Sequence, residues 1–258
     1  MQELQVAVTK NVQIADGIYL MSFRAETPVE GLHAGRFVNV SLGRADMILK
    51  RPFGLFDFSA DGKEFSICYQ IVAGGTQEMS TWREGKVVDI TAPLGNGFTL
   101  NGDEQVVLIG GGVGIFPLHS LKFSYPNCKY SAFIGFRNQK VACHVDAFSS
   151  FAKTYFSTDD GSFGEKGNAV DLYLNHMDEV DADVVLACGP TVMLKALKAK
   201  FEEKGITTKT YVSTEERMGC GVGACLVCVC GKKDANGDVK KVRVCHDGPV
   251  FDMQEVEL

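Results

Sequence analysis

Through the first hundred residues, apolar positions recur at a spacing near two. The runs LQVAVTK, IYLMSFRA, RFVNVSL, EFSICYQIV and KVVDITAPL alternate or are β-branched, and glycines and charged turns separate them. Such alternation gives a strand one buried and one wet face, and several short strands at regular spacing predict a small antiparallel barrel or sandwich. No helical stretch interrupts them in the pattern. At Gly102 the texture changes. The segments EQVVLIGG, CKYSAFIGF, KTYFST, DADVVLACG and TTKTYVS are continuous apolar runs, and the intervening periodicity predicts helices over 117–123, 145–152, 168–177 and 191–204. Strand and helix in alternation predict a doubly wound parallel sheet with helices on both faces. This second unit ends near Ser213. The remaining C-terminal stretch reads as loop-like, rich in cysteine and glycine, and too short for a core of its own without a metal or a neighbour. The expected division is a β-barrel over 1–101, an α/β domain over 102–213 and a small module over 214–258.

Composition narrows the class without changing that picture. The chain of 258 residues is 45% hydrophobic and 22% charged, which excludes disordered, collagen-like and coiled-coil readings. The longest nearly uncharged apolar stretch, 106–118, carries four glycines and a proline and falls short of the ~20 residues of a bilayer span. No membrane association is therefore expected. The N-terminal MQELQVAVTK has neither a basic nor an apolar leader region, so a cytoplasmic address is expected. The net charge of −6 with no basic block argues against nucleic acid as a partner.

The nine cysteines are unevenly placed. Cys68, Cys128, Cys143 and Cys188 are scattered, whereas Cys220, Cys225, Cys228, Cys230 and Cys245 crowd into 26 residues. The spacing C-x4-C-x2-C from Cys220 to Cys228, with distal Cys245, is that of a plant-type [2Fe-2S] cluster. Three thiolates on one tight loop must converge while backbone amides turn toward sulfur, and Gly219, Gly221 and Gly223 permit that turn. The alternative is a structural zinc site, which usually uses two C-x2-C knuckles. Cys230, two residues past Cys228 on an extended segment, reads as a buried spectator.

Two further sites carry nucleotide-like features. Gly110, Gly111, Gly112, Val113 and Gly114 follow a predicted strand and precede a helix, an arrangement suited to a pyrophosphate or equally to a tight structural turn. The full dinucleotide fingerprint is absent, because Ile115 stands at the third glycine position and Arg137 is the first polar residue after the next strand. Cys188, Gly189 and Pro190 end another strand, where open α/β sheets place ligands, or where a small residue simply precedes a turn. In the β-rich half, Arg51-Pro52 and Gly75-Thr76 are locally unexceptional, and the five histidines form no ligand spacing. Neither G-x-S-x-G nor H-E-x-x-H occurs.

In order along the chain these elements resemble the ferredoxin reductase-like flavoproteins. Within that superfamily, the motifs RPFG at 51–54, PLGNGF at 93–98, GGGVG at 110–114, TDDGS at 158–162, ACGP at 187–190 and EERMGC at 215–220, with a closing C-x-D-G-P-V-F, resemble the electron transfer subunits of NAD-dependent, type B dihydroorotate dehydrogenases. The resemblance spans essentially the whole chain. It implies FAD along Arg51, Pro52, Phe53 and Gly54, with Arg51 on the pyrophosphate, where a forked guanidinium suits phosphate oxygens. It extends the flavin site to Cys68, Tyr69, Gln70, Gly75 and Thr76, gives NAD(H) to residues 110–114 and to Cys188, Gly189 and Pro190, and gives the [2Fe-2S] cluster to Cys220, Cys225, Cys228 and Cys245. Two positions depart from the family pattern: Gly54 stands where a hydroxyl residue is common, and Phe116 where a small residue precedes the proline.

A nicotinamide exchanges electrons in pairs and an iron-sulfur cluster singly, so a flavin between them is the natural converter. The resemblance implies a separate FMN-containing dihydroorotate dehydrogenase catalytic subunit, in a heterotetramer with two copies of each chain, serving pyrimidine biosynthesis. No catalytic proton-transfer residue for dihydroorotate is expected in this chain, and Cys188 is expected to line the nicotinamide site. The alternatives are an electron-transfer subunit serving a hydrogenase or a ferredoxin:NAD(P)H reductase, and a non-redox module with structural zinc.

Overall fold

Alternation along the N-terminal runs is realised as a closed barrel in the computed structural model, which describes residues 1–258. Its strands are β1 (Gln2–Ala15), β2 (Ile18–Ala25), β3 (Phe37–Val40), β4 (Arg51–Phe58), β5 (Glu64–Gln70) and β6 (Val87–Leu94), all pairs antiparallel, in the order β1-β2-β5-β4-β3-β6. Val8, Met21, Phe23, Val38, Val40, Leu55 and Ile67 point inward and are inaccessible or nearly so. One helix, α1 (Gly74–Ser80), breaks the expectation of an all-β half. With two glycines in seven residues it has no helical period to detect. It forms because the Thr76 hydroxyl accepts from Val72 N–H at 3.0 Å and donates to the Ala73 carbonyl, while Met79 is fully buried in the barrel core.

The second unit is built on β7 (Gln105–Gly111), β8 (Lys129–Phe136), β9 (Ala152–Thr158), the two-residue β10 (Glu165–Lys166), β11 (Val184–Cys188) and β12 (Lys209–Ser213). These six pair in parallel in the order β10-β9-β8-β7-β11-β12. The strand order reverses between β7 and β11, and the carboxyl ends at that switch point carry Gly110 opposite Cys188. Helices α2 (Ile115–His119), α3 (Leu121–Ser124), α4 (Val145–Ser149), α5 (Ala169–His176) and α6 (Thr191–Lys204) complete it. The predicted helix over 117–123 instead starts in a 3₁₀ turn at Gly112–Gly114 and breaks at Ser120. The helix expected to reach residue 152 stops at Ser149, because Ala152 already pairs with Tyr130. Asn168 caps α5 rather than joining it, its side chain accepting from Val170 and Asp171 N–H at 3.0 Å.

The C-terminal segment is more ordered than a loop. It contains the hairpin β13 (Val229–Lys233) and β14 (Val239–Arg243), the short α7 (Val244–Asp247), and β15 (Val250–Asp252), which adds antiparallel to β12 as the seventh strand. Cys228, Val244, Cys245, Phe251 and Met253 share one core with Val107, Ile109, Val185 and Ala187 of the parallel sheet and with Phe37 and Leu94 of the barrel. No helix is long and apolar enough to cross a membrane.

Candidate functional site

A cleft of about 320 Å³ opens where the three parts of the chain meet. Its barrel wall is Pro52, Phe53 and Gly54 of β4, Cys68, Tyr69 and Gln70 of β5, and Thr76 of α1. The facing wall is Val113, Phe116, Pro117 and Cys188 from the parallel-sheet unit, and the floor adds Ser213, Glu215, Met218 and Pro249. Sequence reasoning named the barrel residues and Cys188 as site residues but not these last four; the resemblance motifs EERMGC and C-x-D-G-P-V-F contain Glu215, Met218 and Pro249 without a role, and Ser213 lies in neither. Tyr69 contributes less than its position implied, because its ring stacks on Tyr19 inside the barrel and its hydroxyl donates to Asn11 Oδ1 at 3.0 Å. Arg51 and Gly75 lie beside the cleft rather than in it. A Cβ on Gly75 would sit 2.5 Å from Arg51 Nε, so only glycine lets the guanidinium lie against the first turn of α1. An apolar slot with a fixed guanidinium and free amides at one end fits a flavin with its pyrophosphate. Within it burial holds the Cys188 thiol up at about 12, hence neutral, and burial also raises the Glu215 carboxyl.

The two departures from the family pattern border the same cleft, and the proline that follows Phe116 packs on Gly54. A Cβ on Gly54 would lie 2.5 Å from Pro117 Cγ. Phe116 is 2% exposed and packs edge-on to Phe56 and to His144, so its ring seals the two domains together while bordering the cleft. The same seam holds His119 stacked on Phe56, with ring centres 4.1 Å apart, and the Cys68 thiol 3.3 Å from His144 Nε2.

A second cleft of about 470 Å³ lies over the switch point. Gly111 lines it from the end of β7, Gly112 and Val113 from the 3₁₀ turn that follows, Pro190 and Met193 from the start of α6, and Arg137, Asp159 and Asn168 from the loops after β8 and β9 and before α5. Gly110, Gly114 and Gly189 stand outside it and shape the loop. A Cβ on Gly114 would be 2.5 Å from both Cys188 O and Gly189 Cα, so the glycine loop rests directly on the ACGP turn. Gly112 has φ +53°, in the left-handed region. Gln70 and Val113 border both clefts, which places the second one against the first. Exposed backbone at the carboxyl ends of β7 and β11 suits a dinucleotide.

The cysteine loop offers its sulfurs an amide lining. Val222, Ala224 and Cys225 N–H donate to Cys220 Sγ at 3.3–3.4 Å, Gly223 N–H to Cys245 Sγ at 3.1 Å, Cys220 N–H to Cys225 Sγ and Cys245 N–H to Cys228 Sγ at 3.4 Å. Burial pushes the Cys220 thiol up, but these amides outweigh it and hold it near 6. Cys245 is pushed up to about 12 by burial and by Cys228 beside it. Two neighbouring buried thiols ionise together only with a cation between them, and the donor set fits an iron-sulfur cluster. Cys228 and Cys245 are buried, Cys225 is exposed and Cys220 half-buried. Cys230 is half-buried on β13 rather than buried, paired in register with Val242.

This loop is fixed to the barrel as well as to the sheet. Asn96 N–H donates to Gly248 O at 2.6 Å, and Asn96 Nδ2 donates to His246 O at 3.0 Å, directly after Cys245. Arg243 pairs with Asp247 through two of its nitrogens across α7, and the ion pair holds the Asp247 carboxyl far below its usual range.

Comparison with known proteins bears on the family and the fold. The family described as the iron-sulfur cluster binding domain of dihydroorotate dehydrogenase B matches residues 215–257. Two curated relatives are the dihydroorotate dehydrogenase B (NAD(+)) electron transfer subunits of Enterococcus faecalis V583, 36% identical over all of this chain and 98% of that one, and of Listeria monocytogenes EGD-e, 34% identical over the full length of both. The chain belongs to this family, the electron transfer subunits of dihydroorotate dehydrogenase B. Among solved structures, a chain of the NADH-dependent reduced ferredoxin-NADP oxidoreductase, studied for flavin-based electron bifurcation, superimposes with a TM-score of 0.86 at 26% identity, covering 98% of this chain and 89% of that one. Phthalate dioxygenase reductase, at 15% identity and a TM-score of 0.63 over 95% of this chain and 77% of that one, shares the fold. The first cleft adjoins both the second cleft and the cysteine segment.

Proposed function

We propose that this chain relays electrons between NAD(H) and an FMN-containing dihydroorotate dehydrogenase catalytic subunit, with FAD and a [2Fe-2S] cluster as its resident groups, in pyrimidine biosynthesis. The assembly is a heterotetramer with two copies of each chain. Residues 1–101 hold FAD, 102–213 hold NAD(H), and 214–258 hold the cluster. The observation that carries this reading is adjacency: the first cleft shares Gln70 and Val113 with the second and takes Met218 and Pro249 from the cysteine segment. When bound, FAD exchanges an electron pair with the nicotinamide and single electrons with the cluster.

The chain's own residues set the geometry. Pro52, Phe53 and Gly54 form the barrel wall against which the flavin lies, and the Arg51 guanidinium neutralises its pyrophosphate. Gly111, Gly112 and Pro190 bring free backbone to the dinucleotide, while Cys188, neutral in its buried place, lines the flavin cleft, where the nicotinamide end would meet the flavin, without exchanging a proton. Cys220, Cys225, Cys228 and Cys245 are the ligands, and Leu226 and Val227, 62% and 55% exposed between two of them, present an apolar face for the catalytic subunit. A single zinc ion is disfavoured by the spacing, which is C-x4-C-x2-C with one distal cysteine rather than two C-x2-C knuckles.

The test is an anaerobic NADH titration of the FAD- and iron-loaded chain, read by visible absorbance and electron paramagnetic resonance. Flavin bleaching together with a rhombic [2Fe-2S] signal is expected. A colourless chain containing zinc and no iron refutes the reading, and so does turnover of dihydroorotate with a dye acceptor by this chain alone.

A further inference from the structure

Asn39 is the one buried amide side chain with neither polar end satisfied. It lies in β3, is 1% exposed, and both Nδ2 and Oδ1 lack a hydrogen-bond partner. Buried carboxamides are almost always paired, and an orphan calls for a partner such as a ligand, an ion or a water. Alternation along β3 sends Val38 and Val40 into the barrel core and turns Phe37 and Asn39 outward. The outward neighbour of Asn39 is the cysteine loop itself. A Cβ on Gly221 would lie 2.0 Å from Asn39 Nδ2, and Gly221, at φ +73°, directly follows Cys220. Glycine at 221 thus leaves the amide room to reach the loop between the first two ligands. On its other side, the register partner of Asn39 is Pro52, which lines the flavin cleft. Its remaining cross-strand neighbour, Thr91, is engaged by Lys50 Nζ at 2.6 Å and offers it no bond.

The geometry points to a role for Asn39 that rests on the cluster reading: its Nδ2–H donates to a sulfur at the Cys220 corner of the bound cluster, from the side facing the flavin. The six amide donors of the loop come from the segment that carries the ligands. Asn39 is a donor from the flavin-binding barrel, so it ties the position and the potential of the cluster to the domain with which it exchanges electrons. A hydrogen bond to sulfur favours the reduced cluster, whose sulfurs carry more negative charge, and raises its potential. Asn39 is a positioning and tuning residue and touches no reacting atom of the nicotinamide.

The experiment compares the full chain, loaded with FAD and iron, with its Asn39→Leu variant by redox titration monitored by electron paramagnetic resonance. Asn39→Leu is expected to hold full iron, to lower the cluster midpoint potential, to alter the g values, and to leave the FAD potential unchanged. Unchanged cluster potential and g values at full iron content overturn the proposal. A second arm needs no variant: wild-type chain grown with ¹⁵N-asparagine is expected to show a nitrogen coupled to the reduced cluster in pulsed resonance, and no such coupling overturns the proposal even if Asn39→Leu fails to fold. A wild-type chain that takes up no iron defeats the cluster reading and this inference with it, whereas a normal rhombic signal without an asparagine coupling defeats this inference alone.

Discussion

Pro117 Cγ occupies the space that a side chain at position 54 would enter, 2.5 Å from where its Cβ would be. Pro117 is the third residue of α2, and its ring cannot swing aside as a long flexible side chain would. The space open to a side chain at position 54 is therefore set by Pro117. Restoring a hydroxyl with Gly54→Ser is expected to cost about 1–3 kcal/mol, the usual range for overpacking, and to weaken FAD binding. Gly54→Ser combined with Pro117→Ala should recover most of the loss. Thermal unfolding and flavin fluorescence of the four-member cycle check this; additive effects of the two changes would show that the positions are independent.

The glycine loop makes a sharper case, because what it touches is backbone. Gly114→Ala puts a methyl carbon 2.5 Å from Cys188 O and Gly189 Cα, and neither can rotate away. The loop must lift from the ACGP turn. The KM for NADH is expected to rise at least tenfold, an amount equal to about 1.4 kcal/mol, while FAD and iron contents stay at wild-type levels. Steady-state NADH oxidation with a dye acceptor, alongside cofactor analysis, is the check. An unchanged KM would mean that the second cleft is not where the nicotinamide nucleotide binds.

These sites were legible in the sequence to different degrees, for physical reasons. The cluster spacing is local, three cysteines within nine residues, and needs no tertiary knowledge. The barrel strands and the doubly wound sheet follow from periodicity. The floor of the flavin cleft does not, since Ser213, Glu215, Met218 and Pro249 come together only when β15 returns to pair with β12. Helix α1 escaped because a two-glycine start has no propensity, and its stability comes from Met79 inside the barrel. Asn39 is one polar residue in a four-residue strand, and its importance lies in what faces it. The histidines gave no spacing signal, yet His119 and His144 converge at the domain seam.

That seam should be acid-sensitive. Burial lowers His144 to about 4, helped by the charge of Lys10, and lowers His119 to about 3, helped by Lys122 and by His144. A pKa depressed in the folded state contributes stability that is complete above the unfolded value of about 6.5 and is lost as pH falls toward the folded value. Around these rings stand Phe56, Phe116, Cys68 and the Phe56 carbonyl that faces His119 Nδ1 at 3.0 Å, and none offers a carboxylate to a charged imidazole. At about 1.4 kcal/mol per pH unit, full protonation of His144 costs about 3 kcal/mol. The melting temperature is expected to fall between pH 6.5 and pH 4. His144 sits at φ +57°, a conformation asparagine also accepts, so His144→Asn should flatten part of that slope without straining the backbone. An identical slope in the variant would place the acid sensitivity elsewhere.

The face that meets the catalytic subunit is predicted from the same loop that holds the cysteines. Leu226 and Val227 are exposed apolar residues between the exposed Cys225 and the buried Cys228, so they surround the solvent side of the cluster site. An apolar pair held in water at such a point is explained by a partner that covers it. Leu226 has φ +57°, which aspartate tolerates better than leucine does, so Leu226→Asp should leave folding intact. The variant is expected to keep wild-type FAD and iron contents and wild-type flavin bleaching by NADH. Its affinity for the catalytic subunit should drop at least tenfold, since a buried unpaired carboxylate is costly at an interface. Titrating the two subunits by light scattering, together with NADH-driven reduction of the partner's flavin, separates the steps. Loss of the second without loss of bleaching locates the defect at the interface. Tight binding by Leu226→Asp would move the docking surface off the cluster loop and leave its exposed apolar pair without a partner.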